Sequence, residues 1–388
     1  MTNFRRIELK VLYCSQGYSP HDYRFLSSLS QTKHQIYWLR VEKKLILENR
    51  LLPENIQIVD WVGDLQSPSW WKYVWLKDEF NKVINSIQPD LVHAGPIQKV
   101  AFIAAMANYH PLISMSWGTD LLLDADRNPW WQWITRYTLQ HSDWLVGDCQ
   151  AVQEKALGFG FPKEQTSIFP WGIDLERFMN DPAENYRKQA GWGNKFVILC
   201  TRNWEVRYGV DLIVRAFCRV APQMPDALLV LAGGGSQEGL LRKIVQEAGL
   251  QGRVVFAGRI DYEQLPGYYQ SADLYLSASH SDGSSVSLME ALGCGCPVLV
   301  SDIVSNLEWV TAGVQGWLFK DGDQDDLANN LQVIYQNRMN LTDYRERSRK
   351  TALKKADWKK NFAVLINTYD IVTRQATVKN FPVKDGQN

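Results

Sequence analysis

The chain holds 388 residues, 45% hydrophobic and 22% charged, and its 42 basic and 42 acidic side chains cancel. That length fits two to three domains with sizeable cores, and zero net charge excludes a global field favouring nucleic acid or an anionic membrane. No run of about 18 apolar residues is present to span a bilayer, and MTNFRRIELKVLYC alternates charge with apolar residues as a first strand does, not a signal peptide.

From the N-terminus, β-type runs fall at 7–14, 35–41, 90–93, 111–116, 144–146 and 166–169. Helical spacing separates most of them, at 21–30, 70–87, 98–108, 130–141 and 149–159. Repeated βα units of this kind build a parallel sheet covered on both faces. Two segments of this half are dense in tryptophan, SPSWWKYVWLKDEF (67–80) and NPWWQWITRY (128–137), in a chain with sixteen tryptophans. Trp71, Val74 and Trp75 share one helical face, as do Trp130, Trp133 and Ile134. Core packing is the expected use of such faces; a surface meeting lipid or an apolar acceptor is the sharper alternative.

Pro170-Trp171-Gly172-Ile173-Asp174 then breaks the pattern, and the polar stretch 181–195 reads as a connection between domains. A second series of strands follows at 195–201, 227–232, 253–258, 274–279, 297–302 and 316–319, with helices between them at 209–220, 236–248, 262–271 and 287–292. Helical patterns at 324–337, 342–354 and 358–373 close the chain, and 374–388 reads as a flexible tail. The six cysteines, several inside apolar runs, suit a reducing cytosolic setting. Cys294-Gly-Cys296 has poor spacing for zinc and is expected to pack beside a strand.

Ligands of doubly wound sheets bind outside the carboxyl ends of the strands. With two such halves, the cleft between them is the expected site. The richest loop is HSDGSSVSLMEALGCGCPVLVSD (280–302). A strand ends near Ser279 and a helix starts near Ser284, so free N–H groups and a helix dipole await a diphosphate. Gly283, Ser284 and Ser285 are small enough for close backbone approach. Asp282 lies before the helix and Glu290 six residues into it, roughly 9 Å along the axis. That separation matches a ligand with diphosphate in the middle, ribose on one side and a sugar on the other. A helix cap at Asp282 and a solvated Glu290 are the bland alternative.

This stretch resembles the signature of the family 4 retaining glycosyltransferases of the GT-B fold, the glycosyl transferases group 1. Their hallmark is Glu, seven residues, Glu, then Ala-Met/Leu-x-Cys/Gly-Gly-x-Pro-Val. Here it reads Asp282, seven residues, Glu290, then Ala291-Leu292-Gly293-Cys294-Gly295-Cys296-Pro297-Val298, so the first Glu is an Asp. FPWGID (169–174) is similar to the interdomain Pro-Asn-Gly-Val-Asp, and CTRNWEVRYGVDLIVRAF (200–217) to the Gly-Arg...Lys-Gly-x-Asp-x-Leu-Ile-x-Ala-Phe segment. The resemblance implies that Arg202 clamps the donor diphosphate. It leaves open whether Arg207 or Tyr208 stands where Lys is usual. It places Gly258 and Arg259 beside the nucleobase and Gly17, in QGYSPHDYRFL (16–26), near the donor phosphates. SWGTDLL (116–122) resembles His-Gly-x-Asp with Trp117 for His, which makes Asp120 an acceptor-side carboxylate. His93 reads equally as structural or catalytic. Asp124-Ala-Asp126 and Asp321-Gly-Asp323 read as solvated loops and not as metal ligands.

The expectation is an α/β protein of GT-B type, two Rossmann-like doubly wound domains facing across a cleft. Residues 1–174 form the acceptor side, 175–354 bind the donor, and a helix at about 355–373 packs back on the first domain. The implied reaction moves a sugar from a nucleotide-sugar donor to a hydroxyl acceptor with retention. Asp120, Arg202, Arg207 and Asp282 are the catalytic candidates, with no metal or other cofactor, no nucleic acid, and transient contact at a membrane's inner face. The alternatives are a GT-B sugar-nucleotide epimerase, a dehydrogenase, and a nucleotide-sugar binding protein without turnover. GGGSQEG (233–239) lacks the dinucleotide fingerprint and counts against the dehydrogenase.

Overall fold

The computed structural model describes residues 8–65, 69–179 and 183–380. The chain divides into two compact units, 1–169 with 362–388, and 170–361. The first carries strands β1 (Lys10–Ser15), β2 (Gln35–Arg40), β3 (Gln57–Ile58), β4 (Leu91–Ala94), β5 (Leu112–Met115), β6 (Trp144–Gly147) and β7 (Thr166–Ile168), in the order β3-β2-β1-β4-β5-β6-β7. The second carries β8 (Phe196–Cys200), β9 (Ala227–Ala232), β10 (Val254–Gly258), β11 (Leu274–Ser277), β12 (Val298–Ser301) and β13 (Gly316–Phe319), in the order β10-β9-β8-β11-β12-β13. Each strand pairing is parallel.

Both sheets start in the middle, run to one edge, and return to the other side of the first strand. That is the doubly wound order, and its reversal creates a crevice at the carboxyl ends of the two central strands. In the second unit these are β8 and β11, registered with Leu274 opposite Ile198. In the first they are β1 and β4, with Val11 opposite Leu91.

The apolar strand runs follow from burial on both faces. Phe196, Ile198 and Cys200 of β8 enter one core layer, whereas Val197 and Leu199 enter the other. The helix Val210–Val220 covers the first layer with Val210, Ile213, Val214, Phe217 and Val220, spaced at helical period, and leaves Arg215 and Arg219 outside. Cys294 and Cys296 are buried in the second layer, beside β12.

Three expectations are corrected. The polar stretch 181–195 expected as a connection holds a helix at Ala183–Gln189. Arg187 ties it down by donating to the carbonyls of Gly193 (2.8 Å) and Ser271 (3.0 Å) and pairing with Asp273. The last helix runs Trp358–Asn380, so 374–380 is helical; 381–388 lies outside the described residues. The two-residue strand β3 was not anticipated, because two exposed residues carry no periodicity. The final helix serves both units by sequence. Residues 358–361 belong to the second and 362 onward to the first, where Leu365, Tyr369 and Val372 are buried. Among the described residues, no helix is long and apolar enough to cross a membrane.

Candidate functional site

In the second unit, the loops after β8 and β11 meet at the crevice between those strands. Gly209 makes this possible. Its φ is +58°, and a Cβ there would lie 2.2 Å from the Ala278 carbonyl oxygen, so only glycine lets the backbones approach. The His280 N–H donates to the Arg207 carbonyl at 2.9 Å and joins the same two loops. Gly233, after β9, donates its N–H to the Gly258 carbonyl at 2.7 Å, and a Cβ on it would meet the Arg202 carbonyl oxygen at 2.6 Å. The turns after β8, β9 and β10 are thereby stacked.

Arg202 is the hub. Its Nη2 lies 2.7 Å from the Asp282 carboxylate, both side chains largely buried. Its Nη1 donates to Ser285 Oγ and Ser287 Oγ, each at 2.9 Å. Burial alone would push this guanidinium down; Asp282 first, together with Tyr208, Tyr275 and Cys200, outweighs it and holds the group above its usual range, a permanent cation. Tyr208 supplies a platform, its ring centroid 4.1 Å from the Arg202 Cζ and 4.8 Å from the Arg207 Cζ. Arg207 is exposed. Glu205, the nearby acid, is turned to the Ser236 N–H (2.9 Å) and hydroxyl (2.5 Å).

The helix Val286–Gly293 starts here, and no side chain caps it. Its first N–H groups therefore stay available, with a dipole of roughly half a positive charge. Ser284 Oγ accepts from Trp309 Nε1 at 3.0 Å, which fixes the loop. Arg202 and Arg207 are matched by Asp282 and Glu205, so the bare helix end, with roughly half a positive charge, tips the crevice toward an anion such as a diphosphate.

Sequence reasoning placed Arg202, Arg207, Asp282, Gly283, Ser284, Ser285 and Glu290 in one site, and the structure brings them together around this turn. The details differ. Asp282 is the partner of Arg202. Glu290 is buried and accepts from Tyr269 Oη at 2.9 Å. Thr201 Oγ1, 2.8 Å from that phenol, is then its donor, so a Thr201–Tyr269–Glu290 relay ties the helix to the end of β8. Ribose binding was the expected task of Glu290; in this structure the carboxylate engages the domain's own tyrosine. Gly258 sits at the end of β10 with φ +70°, and Arg259 is exposed. Tyr269 and Thr201 were missed; Tyr208, one of the two residues weighed for the usual lysine position, instead lies under both guanidiniums.

In the first unit, the candidates Asp120, Gly17 and His93 have packing or hydrogen-bond partners of their own. The Asp120 carboxylate accepts from the N–H groups of Ile97 (2.9 Å), Trp117 (3.0 Å) and Leu121 (3.0 Å) and from Ser116 Oγ (2.6 Å). Oδ1 takes three of these bonds and Oδ2 one, so Asp120 braces the loops after β4 and β5 and Oδ2 keeps an acceptor site. Burial raises its pKa even so. At Gly17 a Cβ would lie 2.6 Å from the Leu45 carbonyl oxygen, so close packing requires glycine there. His93 is wholly buried, 2.7 Å from Tyr369 Oη of the last helix, and burial pushes its pKa down to about 3. It is a neutral structural histidine.

Asp126 is ion-paired with Lys155, Asp321 lies 2.6 Å from His280 Nδ1, and Asp323 caps the helix Gln324–Gln336. Among the described residues, no group of three or more His, Cys, Asp or Glu is placed to hold a metal. The expected tryptophan packing is corrected too. Tyr73, Leu76, Phe80 and Ile84 bury the first segment and Ile134 the second, whereas Trp70, Trp71, Trp75, Trp130 and Trp133 are 41% to 79% exposed.

Residues 182–355 match the family model of glycosyl transferases group 1, and residues 10–148 match that of glycosyl transferase 4-like proteins. A GDP-mannose-dependent alpha-(1-6)-phosphatidylinositol monomannoside mannosyltransferase of Mycolicibacterium smegmatis is 28% identical over 182 residues, 45% of this chain and 47% of that protein. The chain thus matches about half the length of that relative. A putative glycosyltransferase EpsD of Bacillus subtilis is 23% identical over 71% of this chain and 75% of its own. By structure, sucrose-phosphate synthase of Thermosynechococcus elongatus superposes with a TM-score of 0.77 at 18% identity, over 95% of this chain and 99% of that one. Anabaena HepE in complex with UDP-glucose gives 0.75 at 18% identity, over 94% and 100%.

Proposed function

Because this chain belongs to the GT-B glycosyltransferases, with a 4-like first half and a group 1 second half, we propose that it moves a sugar from a nucleotide-sugar donor to a hydroxyl acceptor, with retention and without metal. The observation that carries this reading is the cationic crevice of the second unit: Arg202 on its tyrosine platform, exposed Arg207, and an uncapped helix start at the doubly wound switch point. The relatives' names add support, one being GDP-mannose-dependent and another bound to UDP-glucose.

The acceptor hydroxyl attacks the anomeric carbon on the face the nucleotide leaves. The new C–O bond forms as the bond to the diphosphate oxygen breaks, and that phosphate takes the hydroxyl proton. Negative charge grows on the leaving nucleotide, and fixed donors aimed at it contribute about 3 kcal/mol each in comparable sites. Asp282, joined to Arg202, holds the guanidinium in place, and its second oxygen can take a sugar hydroxyl. The acceptor is a hydroxyl of a glycan, a glycolipid or a small molecule, and a cytoplasmic setting with peripheral membrane contact goes with it. Product analysis by NMR with an α-linked donor, with and without EDTA, tests this reading. An α product formed equally in EDTA supports it. A β product would overturn retention, and EDTA loss restored by magnesium or manganese would overturn metal independence.

A further inference from the structure

We propose that Tyr269 is a positioning residue for the donor ribose: with Thr201 it holds the Glu290 carboxylate at a fixed span from Arg202, so that the site selects ribonucleotide sugars. Such a role deepens the donor half of the preceding reading and rests on it, since the donor must lie in this crevice. Tyr269 stands on the helix Leu265–Ser271 and is wholly buried. Its Oη donates to Glu290 Oε2 at 2.9 Å and accepts from Thr201 Oγ1 at 2.8 Å. Burial first, and then the Glu290 charge, hold this phenol well above its usual range, so it keeps its proton and donates. Thr201 directly precedes Arg202. The relay therefore starts on the backbone that carries the guanidinium and ends on the carboxylate.

A second arm joins the same two groups. Arg202 Nη1 and Tyr275 Oη both donate to Ser287 Oγ, each at 2.9 Å. The Tyr275 ring lies 5.9 Å from the Tyr269 ring, and Phe178 packs on Tyr269 at 6.2 Å. The helix Val286–Gly293 already packs through Leu288, Met289 and Leu292, so it does not need a buried carboxylate to hold it. A buried polar network costs desolvation, and what it gives in return is one fixed geometry. A carboxylate has about four acceptor sites, and the phenol takes one. A carboxylate fixed in this way suits a ligand with adjacent hydroxyls. The 2′- and 3′-hydroxyls of ribose are such a pair, on the nucleoside side of the diphosphate proposed for Arg202. Fixing both ends before the donor arrives lowers the ordering cost of binding.

Calorimetric titration of the intact protein tests this by crossing variants with ligands. UDP-glucose, GDP-mannose and ADP-glucose are compared with their 2′,3′-dideoxy counterparts. Wild type should bind at least one ribose donor ~10-fold or more tighter than its dideoxy form. Tyr269→Phe should lose about 5-fold or more on that ribose donor and change less than about twofold on the dideoxy form. Without the hydroxyls, what the phenol positions has nothing to hold. Thr201→Val should move the same way by a smaller step, and serves if Tyr269→Phe fails to fold. Thr201→Ser keeps the donor hydroxyl and should behave as wild type. A relay that only braces the fold would weaken both ligands alike, and that result overturns the proposal. So does wild type indifferent to the ribose hydroxyls, or variants that keep its full discrimination. Wild type that binds none of the donors overturns this role and the transferase together. Discrimination through Tyr269 without transfer to any acceptor sinks the transferase alone, and transfer with no part for Tyr269 sinks the relay alone.

Discussion

At the scale of single residues, Tyr208 concentrates the donor chemistry. Two like charges over one ring repel each other, and the ring's negative face offsets that repulsion by about 0.5–2 kcal/mol per cation. Tyr208→Phe keeps the face and should leave nucleotide-sugar Kd within about twofold, whereas Tyr208→Ala should raise it about 10-fold. Calorimetric titration reads both, and equal affinities for the two variants would remove the platform role. His93 makes a pH prediction. Its pKa is held at about 3 by burial, below the usual value near 6.5. The unfolded chain therefore binds the extra proton between those values, and stability present above pH 6.5 is lost as pH falls toward 3. Buried Asp22 works the other way, raised by burial to about 6, so it favours the fold as pH falls from 6 toward 4 and masks part of the histidine slope. The difference between wild type and His93→Gln isolates His93. It should shrink by about 1.4 kcal/mol per pH unit on acidification below pH 6.5. A difference independent of pH, by urea unfolding, would show that His93 does not titrate this way.

At the scale of elements, the site depends on loops that touch through glycines. Gly209→Ala forces a Cβ against the Ala278 carbonyl and a side chain into φ +58°. It should cost about 1–3 kcal/mol and weaken donor binding, since Arg207 and Tyr208 sit on the displaced turn. Thermal unfolding checks the first effect; an unchanged midpoint would mean that the loops part easily. Elements were also where the sequence was most readable. All-apolar strands such as FVILC and the face Val210, Ile213, Val214, Phe217 declare parallel strands and their covering helix. The Asp282–Glu290 turn was legible because small residues between a strand and a helix have few other uses. Periodicity gives a face but not what covers it, so the tryptophans read as core when the neighbouring Tyr73, Leu76 and Phe80 fill that role. Nor can a motif tell what a carboxylate braces, which for Asp120 includes the Ile97 N–H, 23 residues distant in sequence.

For the molecule as a whole, two sheets of the same winding carry different crevices. The first unit's crevice is braced by buried Asp120 and by a glycine pressed on Leu45. The second unit presents Arg202, Arg207 and a bare helix start at its own switch point. The proposed reading accordingly puts the anionic donor on the second unit and the acceptor on the first. The central claim is that Arg202 holds a nucleotide-sugar diphosphate, and the most direct measurement is calorimetric titration of UDP-, GDP- and ADP-sugars into wild type and Arg202→Lys. The lysine keeps the charge for Asp282 but loses the fork that also reaches Ser285 and Ser287. Wild type should bind at least one donor saturably, and the variant should lose roughly 10-fold or more, worth about 1.4 kcal/mol. No binding of any donor by wild type, or equal affinity in the folded variant, would contradict it.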